Sequence, residues 1–206
     1  MVPLTLAVAT DALLKNEFDS FRGSDAVHPL WAQYGLDVSA YDHPDIDLWR
    51  SNFKGIRIRY GDGVEVFGAV DDIWKNRQTG ELHIVDYKST SKKDVPTLDG
   101  GFGDGYKRQM EIYQWLFRKC GFPVSSTGYF LYVNGKKDQR FYRESLNGIM
   151  TFDTTLIPYE ADDSWVEGVI QSAIATLSQD AIPERSGTCD NCRYYEERSR
   201  LELHVN

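Results

Sequence analysis

Cysteine is scarce in this chain of 206 residues: there are three, an odd number that cannot close into a disulfide framework and that suits a reducing compartment. Long apolar runs are missing as well. No stretch supplies the ~20 apolar residues a membrane helix needs, and Val2 to Ala9 lacks the basic start and the length of a secretory signal, so the expectation is a cytoplasmic protein with no membrane partner. There is no internal repeat and no low-complexity tract. Positive charge is in deficit, with 23 Lys and Arg against 31 Asp and Glu and a net charge of −8. That balance speaks against a nucleic-acid partner unless the cations are gathered on one face. The length fits a single α/β domain over residues 1–206, with a core over about 8–180 and a charged carboxyl-terminal extension over 184–206.

What is there centres on Gly68-Ala69-Val70-Asp71 and Ile84-Val85-Asp86-Tyr87-Lys88. The intervening Asn76-Arg77-Gln78-Thr79-Gly80 is polar and ends in Gly, between segments rich in Val, Ile and aromatic residues, which predicts strand, turn and strand. A hairpin centred on Gln78 and Thr79 sets Asp71 opposite Asp86, and with side chains alternating along a strand Lys88 shares their face. Two opposed carboxylates repel. A hard divalent cation held by oxygen ligands, such as Mg²⁺, would compensate them and would polarise a phosphate, with Lys88 adding positive charge where a phosphoryl centre develops negative charge.

Downstream, Tyr106 to Phe117 has helical periodicity, and Gly121 follows as a stop. Gln109 and Tyr113, four apart, are neighbours on one face of that helix. Asp71, then Asp86-Tyr87-Lys88, then Gln109-x-x-x-Tyr113 resembles the PD-(D/E)XK nuclease superfamily, and within it the RecB-type branch that adds a QxxxY motif. The resemblance implies a restriction-endonuclease-like α/β core, a central mixed sheet flanked by helices. It implies Mg²⁺ or Mn²⁺ held by Asp71, Asp86 and the backbone carbonyl of Tyr87, with Lys88 assisting the attacking water and Gln109 and Tyr113 contacting DNA or the site. A further ligand on an early helix is common in the branch, and Glu17 is the candidate, with His28 and His43 as weaker ones before prolines.

The implied activity is hydrolysis of DNA phosphodiester bonds, directed to ends or single strands, alone or within a recombination, repair, phage or CRISPR-related assembly. The alternative is a module that keeps the fold but only binds nucleic acid or assembles. Charge distribution supports a nucleic-acid face. From Tyr87 to Arg143 eleven cations face five anions, a net +6 that leaves −14 for the rest of the chain. Lys92 and Lys93 follow the second strand, Lys107 and Arg108 lie on the helix, and Lys136 and Lys137 sit at the Asn134-Gly135 turn of an expected hairpin between Tyr129–Val133 and Gln139–Tyr142. Phe102, Tyr106, Phe141 and Tyr142 are candidates for stacking on unpaired bases. The Gly-rich run from Asp99 to Gly105 reads as a lid or linker. Helices are expected over Thr10–Phe21 and Ser164–Ser178, the second with Trp165, Val169, Ala173, Ile174 and Leu177 inward. Cys189-Asp190-Asn191-Cys192 has the spacing of a half-site for zinc or an iron–sulfur cluster, which His204 and one more ligand would complete for Zn²⁺; the alternative is a pair of reduced free thiols. A four-cysteine iron–sulfur cluster is not expected from three cysteines.

Overall fold

A computed structural model describes residues 5–60, 63–142 and 147–203. Arg143 and His204 lie outside the described residues. By contacts the chain divides into two units, residues 1–166 and 167–206.

The first unit is built on a five-stranded mixed sheet with strand order β1-β4-β5-β6-β7. Its strands are β1 (Val38–Ala40), β4 (Asp72–Asn76), β5 (Leu82–Thr90), β6 (Thr127–Gly135) and β7 (Phe152–Glu160), while β2 (Ile56–Tyr60) and β3 (Val64–Gly68) form a separate antiparallel ribbon. Around them lie α1 (Thr5–Asp19), α2 (Pro29–Gln33), α3 (Ile46–Trp49) and α4 (Gly103–Lys119). The mixed sheet flanked by helices is the architecture the sequence implied.

β4 and β5 pair as Asp72↔Val85, Ile73↔Ile84, Trp74↔His83 and Lys75↔Leu82, which is the register expected of a hairpin centred on Gln78 and Thr79. Asn76 closes the turn: its side-chain oxygen accepts from the amides of Gln78 and Thr79. β5 and β6 run parallel, so α4 is the crossover between them. Both central strands are buried on two faces, which explains their nearly unbroken apolar runs, Leu82 to Val85 and Tyr129 to Val133. Side-chain alternation then divides the core. Phe18, Trp31, Trp74, Tyr87 and Leu131 pack beneath α1 and α2, whereas Ile73, Ile84 and Phe130 on the other face lie fully buried with Met110, Leu116 and Phe117 of α4. α4 approaches β6 so closely that a Cβ on Gly128 would stand 2.5 Å from the Met110 sulfur.

Several expectations are corrected. β6 pairs along its whole length with β7, from Thr127↔Glu160 to Gly135↔Phe152, and not with Gln139–Tyr142, where Tyr142 makes only an isolated bridge to Gly148. The nine-residue match offers far more ladder than a short hairpin, and Pro158 is tolerated because β7 is an edge strand. Among the described residues α1 covers Thr5–Asp19 rather than Thr10–Phe21. The Gly-rich run is not wholly a linker, because Gly103 and Gly105 form the first turn of α4. Only glycine fits at 103: a Cβ there would meet the Leu98 carbonyl oxygen at 2.0 Å.

The second unit holds most of α5 (Val166–Leu177), which falls within the helix expected over Ser164–Ser178, and all of α6 (Asp190–Leu203), where the sequence had suggested a charged extension. Val169 and Leu177, expected on an inner face, are 54% and 82% exposed. Trp165 belongs to the first unit, where its indole N–H donates to Glu111 at 2.7 Å. Among the described residues no helix is long and apolar enough to cross a membrane.

Candidate active site

Asp71 lies one residue before β4, so its carboxylate, rather than its backbone, extends the ladder: Oδ2 accepts from the Tyr87 amide at 2.8 Å. Asp86 is one of the few buried carboxylates, 3% exposed, on the face of β5 turned toward α4. The Lys88 ammonium, two residues on, forms an ion pair with Asp86 Oδ2, yet that oxygen has no hydrogen bond of good geometry. Lys88 also donates to Gln109 Oε1 at 3.3 Å, and the Gln109 amide donates to the Tyr113 hydroxyl at 2.8 Å. The ammonium sits 4.2 Å from the Tyr106 ring centroid. Asp71, Asp86 and Lys88 from the hairpin, and Gln109 and Tyr113 from the crossover helix, are thus brought to one place.

The electrostatics follow from burial. Asp71 is pushed up to about 7, first by desolvation and then by the charge of Asp86, against the Tyr87 amide and Lys15, which pull it down. Burial also raises Asp86, with Lys88 opposing. Tyr113 is pushed up to about 12, chiefly by burial, so it stays a phenol and a hydrogen-bond donor. A group whose folded pKa lies above its ordinary value favours folding below that ordinary value and loses this contribution as pH rises to the folded one. In EDTA the protein is therefore expected to melt at lower temperature at pH 8 than at pH 5, by on the order of 2 kcal/mol of stability. The dependence should flatten in Asp71→Asn; thermal melts across pH check this, and an equally steep profile in the variant would refute it.

The face of α1 contributes two residues that the sequence reading passed over. Lys15 stands 3.8 Å from Asp71 and 2.8 Å from Asp11, and the Asp11 charge bears on both Asp71 and Asp86. Glu17 is placed differently. Its carboxylate is 3.2 Å from His28 Nε2 and 58% exposed. Helical phase holds the signal: Asp11 and Lys15 are four apart and flank the Leu14–Phe18 stripe, while Glu17 is a further two residues round. His28 and His43 each make local packing contacts. His28 caps α2, accepting from the Leu30 amide at 3.0 Å, and its ring packs on Phe18 and Phe21. His43 stacks on Trp49.

Behind the site lies a buried ion network, also unforeseen. Asp72 is 0% exposed; its Oδ1 accepts from Arg22, Arg50 and the Ile73 amide at 2.8–2.9 Å, and its Oδ2 from the Tyr87 hydroxyl at 2.8 Å. Arg50 reaches further, donating through Nε to the Asp71 carbonyl at 3.0 Å and through its other nitrogen to Asp19 at 2.9 Å. One guanidinium thus fixes the backbone of Asp71 to the network that fixes Tyr87.

The expected basic residues fall in two places. Lys92, Lys93, Lys136 and Lys137 line one cleft of about 530 Å³, shaped by Asn134, whose side chain accepts from the Lys92 amide and donates to the Lys92 carbonyl. Lys107 and Arg108 lie apart from them on α4, and Lys107 faces Asp104. Cys189 precedes α6, its sulfur accepting from the Cys192 amide at 3.4 Å, and that amide lowers its pKa. Among the described residues no three His, Cys, Asp or Glu side chains gather into a metal-binding group, at Cys189–Cys192 or elsewhere.

A divalent metal would have to use the two carboxylates, a backbone carbonyl and water. The residues fit one: the donor set is two closely placed oxygen ligands that a hard cation prefers, and Lys15 and Lys88 offset the burial of Asp71 and Asp86 only in part, since both carboxyls remain raised. In comparison with protein families, the model of the PD-(D/E)XK nuclease superfamily matches residues 9–196. Curated proteins and solved structures gave no match.

Proposed function

The chain belongs to the PD-(D/E)XK nuclease superfamily, and from that premise we propose that it is a Mg²⁺- or Mn²⁺-dependent deoxyribonuclease of the RecB-type branch, acting on single strands or duplex ends. The observation that carries the reading is the single constellation of Asp71, Asp86 and Lys88 with the Lys88–Gln109–Tyr113 hydrogen-bond chain. Asp71, Asp86 and the Tyr87 carbonyl would hold the cation, which supplies Lewis-acid polarisation of the phosphate and a more acidic water. Lys88 orients the attacking water and offsets charge developing on the phosphoryl oxygens. Gln109 holds Lys88 in place from the far side and passes the constraint to Tyr113, whose phenol donates to a phosphate oxygen of the bound strand. Burial of the site on α4 keeps these dipoles fixed before the reaction begins.

The test is cleavage of labelled linear and circular DNA, single- and double-stranded, with Mg²⁺, Mn²⁺ or EDTA. Cutting that needs metal and spares circles supports an end-directed nuclease; cutting of circles replaces that with an endonuclease. Absence of cutting with every metal, alongside intact DNA binding, would leave a binding or assembly module instead.

Gly68 supplies a separate check. A Cβ at this position would stand 2.6 Å from Tyr113 Cε1, so Gly68→Ala must displace the ring from its bond with Gln109. About a tenfold loss of cleavage is expected, with a stability cost of ~1–3 kcal/mol. Wild-type rates would show that Tyr113 does not position the substrate.

A further inference from the structure

We infer that the open hollow beside Gln109 and Tyr113 is a stacking site for unpaired bases of the substrate strand, an inference that rests on the nuclease reading and narrows its substrate to single-stranded or frayed nucleic acid. The hollow has a volume of about 670 Å³, and Phe67, Phe102 and Tyr106 line it together with Gln109 and Tyr113. Two of its aromatics are not serving the core: Phe102 is 80% exposed and Phe67 50%. Phe102 is held out by the chain itself. Gly100 and Gly101 both take positive φ, 69° and 56°, immediately before it, and it stands at the start of α4 with its ring 6.4 Å from that of Tyr106 between centroids.

Charge is arranged to match. Phe102 and Tyr106 also line a second hollow of about 490 Å³ that contains Lys88 and Lys92, and Lys92 in turn belongs to the lysine cleft with Lys93, Lys136 and Lys137. The aromatic ridge therefore has Lys88, Lys92 and a lysine-rich cleft, in which Lys136 pairs with Asp153 at 2.7 Å, on one side and the apolar hollow on the other. A strand laid along it puts phosphates toward the lysines and bases over the rings. Bases in a duplex already stack on each other and have no free face to offer, whereas an unpaired base of any identity does.

The experiment compares binding, in EDTA so that nothing is cut, of a fluorescein-labelled single-stranded deoxyoligonucleotide, the same length of abasic strand, and a blunt duplex. Wild-type protein is expected to bind the ordinary strand about tenfold tighter than the abasic one and tighter than the duplex. Phe102→Ala should lose most of that preference and Phe102→Trp should keep it, both melting like wild type because the side chain lies outside the core. Equal binding of ordinary and abasic strands, preference for the duplex, or a preference unchanged in Phe102→Ala would each overturn the inference. Cleavage of the ordinary strand with Mn²⁺ is measured in parallel. Cleavage without base preference removes the stacking site and leaves the nuclease; base preference without cleavage removes the nuclease and leaves the stacking site.

Discussion

Asp86→Ala is expected to lose metal-dependent cleavage by roughly a hundredfold to a thousandfold or more, and Lys88→Ala to do nearly as badly. The two should differ in everything else. Asp86 is a buried carboxyl whose pKa is raised by desolvation against the opposing Lys88 ammonium, so its removal relieves the metal-free protein and should raise the melting temperature in EDTA. Lys88→Ala removes the cation that opposes this cost and should lower it. Added Mg²⁺ should stabilise the wild type and have no effect on Asp86→Ala. Melting curves with and without Mg²⁺, alongside the cleavage assay, read both halves. A fully active Asp86→Ala would exclude this carboxylate from the chemistry, and an inactive variant that also unfolds would show that its role is structural.

The largest stability effect should come from the other face of the sheet. Asp72→Ala leaves Arg22 and Arg50, 8% and 7% exposed in their side chains, without this buried acceptor, and strips the Tyr87 hydroxyl of its partner. Asp19 remains as a partner of both guanidiniums, but breaking a buried ion pair from one side costs about 3–5 kcal/mol, which in a chain of this size corresponds to a fall of roughly 10 °C in melting temperature. Arg50→Lys is the more telling variant. It keeps the charge but not the fork that reaches Asp71, Asp72 and Asp19 together, so metal affinity should drop more than stability does. Calorimetric titration of Mn²⁺ against a thermal melt separates the two. Melting of Asp72→Ala within 1–2 °C of wild type would show, by about the same scaling, that the network contributes little.

The hairpin and its register were legible because they are local: one polar turn, two apolar strands and a side-chain period of two leave little freedom in how Asp71 and Asp86 meet. Gln109 and Tyr113 were legible for the same reason, four residues apart on a periodic helix. What failed depended on pairing across distance. Tyr129 to Val133 promised a strand, but nothing near it in the chain says whether the partner is Gln139–Tyr142 or Phe152–Glu160, and only the longer ladder decides. Asp72 was unreadable in another way. Nothing around it in the chain marks it for the core, and the two arginines that make it tolerable there follow α1 and α3, chosen by the fold and not by spacing.

The parallel pairing of β5 with β6 has a kinetic consequence. The β4–β5 hairpin closes over a short turn on a timescale of ~1–10 μs, and it already contains Asp71, Asp86 and Lys88. Gln109 and Tyr113 arrive only when the long crossover through α4 has closed and its entropy has been met by the β5–β6 ladder. The carboxylate half of the candidate site is therefore expected to form early and locally, and the half that holds Lys88 in position late and through non-local contacts. A nascent chain released before Gly135 has been made would have the acidic pair without the strand that anchors the helix over it.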